Sequence, residues 1–501
     1  MRLHQINSQR SGAISLAAML MAFALQLHAA QAEARTQSPG VISKKNVRAP
    51  NLILILADDL GYGDIGVYNQ NARLAASLPA LRTPNLDRLA EQGMRFTNFY
   101  AAPACAPSRA ALMTGLHNGH SFIRGNELSI NLRREDRIIP ELLKASGYKT
   151  AMFGKWGLGE SDETIRSPTA AGQIAMGAAQ PLRKGFDEFF GYLSHTAAHF
   201  SYAPELLSVK GYRLWDTLTN QLIAVEPPAR YVPDLVVERA LDFLERNVTN
   251  KFFLYLPITQ PHANTSMQRI DVPELEPDYA GQNWPETEKR FASLVTGMDR
   301  QVGRILNKLT ELHLDERTVV IFTSDNGAHA AANHDYTFFN STGPLRGRKF
   351  SVYDGGIRVP FIARWPRHIS AGVATDHLAA IWDLLPTLCE LTVARSLPGI
   401  DGISMLPTLL GQNSKQVQHT YLYWETPPDA GGLKFRAARK GHWKSVRQDT
   451  AALELYNLST DPGETKNVAQ SNPTVVAEMH TILKTASTET ERGVSNREKS
   501  K

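Results

Sequence analysis

Asn51-Leu-Ile-Leu-Ile-Leu-Ala57 runs directly into Asp58-Asp59-Leu-Gly61-Tyr-Gly63-Asp64. An unbroken apolar run of strand length reads as a strand buried on both faces of a parallel sheet. In open α/β sheets, ligands gather at the carboxyl ends of the strands. Two adjacent carboxylates at such an end repel each other unless a cation neutralises them. Taken alone, the pair reads as an ordinary acidic turn rather than a cation site.

Further strands of the same kind follow. Phe252-Phe-Leu-Tyr-Leu-Pro-Ile258 ends at Thr259-Gln-Pro-His262, and Thr318-Val-Val-Ile-Phe322 leads to Thr323-Ser-Asp325-Asn326-Gly327. Residues 149–153 form a shorter strand before Gly154-Lys155-Trp-Gly157-Leu-Gly159. Residues 83–93 read as a helix stopped by Gly93, and residues 94–100 alternate like a strand. In residues 292–312, Leu294, Met298, Val302, Ile305 and Leu309 recur near helical spacing. The expectation is an α/β fold with a large mixed, mostly parallel sheet flanked by helices. Beyond about residue 412, short strands at 420–425, 435–439, 443–447 and from 454, then a helix over 473–485, predict a small antiparallel C-terminal sheet plus helix.

The chain has 501 residues, of which 43% are hydrophobic and 21% charged, enough for a large core. Its net charge is +5, and residues 1–32 contribute Arg2 and Arg10 without any acid. That weak positive balance suits an anionic substrate and gives no argument for nucleic acid. Residues 1–32 read as a signal peptide, with an apolar stretch over 13–27 and Ala30-Gln-Ala32 as the cleavage site. The apolar stretch is short for a membrane span. The expected organisation is signal peptide 1–32, N-terminal arm 33–47, catalytic domain 48–411, C-terminal subdomain 412–488 and tail 489–501. The expected location is outside the cytoplasm, periplasmic if the source is bacterial and secreted otherwise, with no span after cleavage.

Two cysteines occur, Cys105 and Cys389. Cys389 lies in the apolar, helix-like stretch 377–392 and reads as a buried free thiol. Cys105 sits in Pro103-Ala-Cys105-Ala-Pro107-Ser108-Arg109, followed by the small and apolar Ala110-Ala-Leu-Met-Thr-Gly115. Pro107 suits the first turn of a helix. Cys105 and Arg109 then lie near a helix N-terminus, which attracts anions. A nucleophile beside a fixed positive charge suggests chemistry on a tetrahedral oxyanion; the bland alternative is a buried thiol beside a helix cap. Asp58, Asp59, Asp325 and Asn326 make an all-oxygen set suited to a hard cation.

Cys105-Ala-Pro-Ser-Arg109 running into Leu112-Met-Thr-Gly115, with Asp58-Asp59 and Asp325-Asn326-Gly327, resembles the type I sulfatases of the alkaline phosphatase superfamily. The resemblance covers about residues 48–485. It implies that a maturation enzyme oxidises Cys105 to formylglycine (3-oxoalanine), whose hydrate is the nucleophile. It implies that Asp58, Asp59, Asp325, Asn326 and the modified Cys105 hold Ca2+ or Mg2+. It further implies that Arg109 stabilises the ionised diol, that Lys155 and Lys349 neutralise sulfate oxygens, and that His262 protonates the leaving oxygen. Arg348 competes with Lys349 for its role. One departure stands out: Gly157 occupies a position where the family commonly has a histidine that assists breakdown of the covalent intermediate. His195 or His199 can take that role, and His199 is the better match by position. The implied reaction is hydrolysis of sulfate monoesters, of sulfated carbohydrates in nature and of aryl sulfates as artificial substrates. The rivals are a phosphonate or phosphodiester hydrolase, a sulfotransferase-like enzyme, and a non-catalytic binder of sulfated glycans. Specificity would lie in residues 160–180 and 200–230.

Overall fold

The computed structural model describes residues 49–126, 131–159, 178–202, 204–205, 208, 213–218, 221–225, 230–426 and 434–488. The expected signal peptide, arm and tail lie outside the described residues, as do residues 160–177 and part of 200–230.

The main sheet is built from β1 (Asn51–Ala57), β2 (Met94–Phe96), β4 (Lys149–Lys155), β5 (Glu188–Tyr192), β6 (Leu214–Leu218), β7 (Gln221–Val225), β8 (Phe252–Pro257), β9 (Thr318–Ser324), β10 (Phe361–Arg364) and β11 (Val373–Thr375). Their order is β11-β2-β10-β9-β1-β8-β4-β5-β6-β7. The five central strands, β9-β1-β8-β4-β5, are all parallel, whereas β10 and β6 pair antiparallel to either side. The expected mixed, mostly parallel sheet is what forms.

All seven residues of β1 are buried, as are all six of β8 and all seven of β9. Successive strand residues face opposite sides, so an apolar run without alternation demands cover on both. Ile53, Ile55 and Leu254 pack in one core cluster with Val236, Ala240 and Phe243 of the Val232–Arg246 helix and Met298, Val302 and Ile305 of the Glu286–Glu311 helix. The latter helix starts six residues earlier than its apolar repeat suggests. Its first turn is polar, but Glu288 is buried there and its carboxylate meets the His334 imidazole at 2.8 Å.

Residues 94–100, read as one strand, split in two. β2 stays in the main sheet, while β3 (Phe99–Tyr100) pairs with β12 (Ala379–Ala380) in a separate ribbon. The stretch 377–392 is therefore helical only from Leu384 to Thr392, after that strand and a short 3-10 turn. Cys389 is buried and free, as expected. β13 (Leu422–Glu425), β14 (Phe435–Lys440), β15 (Trp443–Gln448) and β16 (Glu454–Asn457) form the antiparallel C-terminal sheet. The Pro473–Thr485 helix lays Met479 and Leu483 against Tyr423, Ala438 and Leu455 of that sheet. No helix among the described residues is long and apolar enough to cross a membrane.

Candidate active site

The five parallel strands all end on one edge, and each contributes to a single cluster. β1 delivers Asp58 and Asp59, β9 delivers Asp325 and Asn326, β4 ends in Lys155, β8 leads to His262, and β5 leads to His195 and His199. Strand pairing fixes the first two groups side by side, because Ala57 is in register with Ser324. Asp59 takes a left-handed conformation, φ +70. Aspartate tolerates this better than most residues, and the turn breaks the strand's alternation so that both carboxylates join one cluster.

The Cys105–Thr114 helix begins at the cysteine itself, with Pro107 in its first turn. Every residue of this helix is buried, which its small side chains permit. Ser108 pins the preceding turn: its Oγ accepts from the Ala102 N–H at 2.8 Å and donates to the Ala102 carbonyl at 3.2 Å. Gly115 closes the helix at φ +72. Arg109, one turn in from the cysteine, reaches inward. Its Nη2 and Nε donate to Asp325 Oδ2 at 2.8 and 3.1 Å, and Nη1 donates to the Lys155 carbonyl at 2.8 Å.

Two lysines balance the other two carboxylates. Lys155 Nζ donates to Asp58 Oδ2 at 2.7 Å. Lys349 Nζ lies 2.6 and 2.8 Å from the two oxygens of Asp59. Burial alone would raise the Asp58 carboxyl, but Lys155 and Arg109 hold it well below the usual range. Burial, then the charge of Asp58, pushes the Asp325 carboxyl up to about 7 against the pull of Arg109. Burial would weaken the Lys349 ammonium, but Asp59 keeps it firmly protonated. The Cys105 thiol is pushed up to about 12, chiefly by burial, so it is not a thiolate at neutral pH.

A cavity of about 460 Å³ opens over this cluster, lined by Asp59, Cys105, Lys155 and Lys349 and by four histidines. His262 Nδ1 donates to the Ala263 carbonyl at 2.6 Å, which leaves Nε2 facing Asp59 Oδ2 at 3.4 Å. Burial and Lys349 hold its imidazole neutral. His199 stacks on His262 with ring centroids 4.3 Å apart, and its Nδ1 meets Thr265 Oγ1 at 2.7 Å. Burial, then His262, pushes it down to about 2. Arg348 lines the cavity without reaching the carboxylates that hold Lys349. The expected residues Cys105, Arg109, Lys155, His262, Lys349, Asp58, Asp59, Asp325 and Asn326 thus come together, with His199 beside His262.

His329 was not anticipated from the sequence. It lines the same cavity, accepts from the Ala331 N–H at 3.0 Å and donates to the Pro261 carbonyl at 3.0 Å. Its signal was present four residues beyond Asp325, in Asp325-Asn-Gly-Ala-His329.

A cation fits this donor set. Asp58 Oδ1 and Asn326 Oδ1 are buried without any hydrogen-bond partner. Unpaired, inward oxygens of this kind are what a hard cation takes as ligands. Asp58, Asp59, Cys105 and His262 each also present a ligand atom within 4.8 Å of the others.

Comparison with known proteins agrees with this geometry. Residues 50–394 match the Sulfatase family, and residues 347–489 match the C-terminal region of N-sulphoglucosamine sulphohydrolase. N-acetylgalactosamine-6-sulfatase of Homo sapiens is 34% identical over 385 residues, covering 72% of this chain. The chain spans 66% of that relative's length, just under two thirds. Arylsulfatase A of Homo sapiens is 33% identical over 482 residues, 86% of either chain. The solved structure of Ps i-CgsB with k-i-k-neocarrahexaose superposes with a TM-score of 0.72 at 25% identity, over 90% of this chain and 99% of that one. These likenesses favour neither a phosphonate or phosphodiester hydrolase nor a non-catalytic binder. A family match over most of the chain, with the motif residues gathered in one cavity, establishes that this chain belongs to the sulfatase family.

Proposed function

We propose that this protein hydrolyses sulfate monoesters carried on carbohydrates, with aryl sulfates as artificial substrates. The observation that carries the proposal is the cavity in which Cys105, Lys155, Lys349 and His262 converge on Asp58 and Asp59. The sugar preference is supported by what two relatives are called or hold: one is an N-acetylgalactosamine-6-sulfatase, and another was captured with a neocarrahexaose. The reading includes export directed by residues 1–32, a catalytic domain over 48–411 and a C-terminal subdomain over 412–488.

Asp58, Asp59, Asp325 and Asn326 would hold Ca2+ or Mg2+, which supplies positive charge to polarise a sulfate oxygen and to ease ionisation of a nearby hydroxyl. Cys105, oxidised by a formylglycine-generating enzyme, would supply a hydrated aldehyde, with one hydroxyl to attack sulfur and a second that a thiol lacks. Arg109 holds positive charge beside that nucleophile and keeps Asp325 oriented. Lys155 and Lys349 bind the remaining sulfate oxygens, where charge must be held through the transition state. His262 is neutral in the free site. An anionic ester entering the cavity favours its protonated form, which then gives its Nε2 proton to the leaving oxygen. His199, stacked face to face on His262, keeps that ring in place.

The test begins with the mass of the Cys105 peptide from protein made in its natural host, followed by assay on an aryl sulfate. An aldehyde or its hydrate, with release of the phenol, supports the reading. An intact thiol in native protein, or a modified protein that turns over no sulfate ester, sinks it.

A further inference from the structure

Among the described residues, four imidazoles line the cavity, and three are committed to protein partners. His329 uses both nitrogens on backbone groups, His262 gives Nδ1 to the Ala263 carbonyl, and His199 gives Nδ1 to Thr265. His195 differs. Both of its ring nitrogens are buried, and neither has a hydrogen-bond partner. Leaving a buried polar group unpaired is destabilising unless a ligand or partner meets it. In a cavity, such a group stands ready for a ligand.

Gly157 makes room for it. Its φ is +67, and a Cβ built there would lie 2.7 Å from His195 Cε1, 3.0 Å from Nδ1 and 3.1 Å from Nε2. The imidazole of residue 195 therefore fills the space where a side chain on residue 157 would stand. Strand pairing brings this about. β4 and β5 run in parallel with Lys155 opposite Tyr192, and the Gly157 N–H donates to the Leu193 carbonyl at 3.0 Å. The imidazole thus stands two residues beyond Lys155, whose ammonium holds Asp58. Burial, then the positive charges of Lys155 and Arg109, keep it neutral. A neutral imidazole with unpaired ring nitrogens, on a residue that lines the same cavity as Cys105, is equipped to accept a proton.

We propose that His195 is the base that releases sulfate from the covalent intermediate; this rests on the sulfatase reading above. In that intermediate, the side-chain carbon of residue 105 carries one hydroxyl and one sulfate ester. His195 takes the hydroxyl proton, and the O–H electron pair becomes the second bond of the aldehyde. The carbon–oxygen bond to sulfate breaks with its electrons on oxygen, so sulfate departs as the dianion. His195 is left as the imidazolium and returns its proton to water.

The test uses full-length protein whose formylglycine content is verified by mass. Single-turnover and steady-state runs on an aryl sulfate are compared for wild type, His195→Ala, His195→Gln and His199→Ala. The His195 variants are expected to lose about 100-fold in kcat. They should release one burst of phenol per modified site and, after quenching, retain sulfate on the residue-105 peptide. Melting of His195→Gln checks that the fold persists. His199→Ala should slow turnover without sulfated peptide building up. A His195→Ala turnover within threefold of wild type, or no retained sulfate, overturns the proposal. Modified wild type that neither releases phenol nor becomes sulfated would instead sink the sulfatase reading, and this proposal with it.

Discussion

Lys444 Nζ lies 2.6 Å from Asp354 Oδ1 and 2.9 Å from Glu464 Oε1, and none of the three side chains is exposed. The Asp354 bond is a hydrogen bond; the Glu464 contact is an ion pair without hydrogen-bond alignment. Glu464 Oε2 instead accepts the Asp354 N–H at 2.7 Å. This buried triad ties the C-terminal sheet to the turn that supports Asp325 and Asn326. The Gly327 N–H donates to the Gly356 carbonyl at 2.9 Å, and a Cβ on Gly327 would stand 1.9 Å from the Gly355 carbonyl. Asp325-Asn326-Gly327 thus sits directly on the segment that Lys444 anchors.

Lys444→Met should therefore act at both ends. It leaves two buried carboxylates without their cation, and breaking a buried pair in this way costs about 3–5 kcal/mol. Urea unfolding should show that loss. A variant as stable as wild type would mean the triad is not what holds the turn.

Arg109→Lys should lower kcat by about 100-fold or more at unchanged formylglycine content, since removing one preorganised donor costs this much in comparable sites. A lysine cannot reproduce the fork to Asp325 and the Lys155 carbonyl. Steady-state kinetics on an aryl sulfate measures it, and near-normal kcat would show that a point charge suffices.

Dialysis against a chelator should abolish turnover and lower the melting temperature, with both restored by Ca2+ or Mg2+. A cation present at 100 times its Kd adds about 2.7 kcal/mol to stability. Melting temperature unmoved by chelator and cation alike would contradict a cation held by Asp58, Asp59, Asp325 and Asn326.

His419 gives a pH-dependent stability. Its Nε2 lies 2.9 Å from both oxygens of Asp383. Burial opposes its protonation, but Asp383 overrides this and holds the imidazole above its ordinary value. A raised folded-state value stabilises fully below the unfolded pKa of about 6.5 and loses that contribution as pH rises through the folded value. The gap in melting temperature between wild type and His419→Gln should be widest near about pH 5.5 and shrink towards about pH 8.5. A gap that grows with pH would reverse the assignment.

Much of this was legible in the chain because it is local. The apolar runs 51–57, 252–258 and 318–322 required burial on both faces, and the acidic and basic residues that follow them fell at strand ends. What the sequence left hidden is non-local. Residues 94–100 alternate as a single strand would, but the Thr97 N–H pairs with the Thr375 carbonyl and the chain then leaves the main sheet. The helix over 377–392 was read too long because apolar composition does not show that residues 379–380 pair with β3, or that Asp383 caps the turn through the Ala380 N–H. The placement of His195 against Gly157 depends on the pairing of β4 with β5, which no spacing in the sequence encodes.

The five adjacent strand ends carry a consequence for how the molecule matures. Asp58 and Asp325 are 267 positions apart, and Lys155 and His262 come from strands between them. The strand-end members of the site thus meet only through long-range pairings, the kind that form slowly because their loop entropy is lost before contacts compensate. Cation uptake should appear only with the last, cooperative stage of refolding, which makes it a direct reporter of the completed sheet.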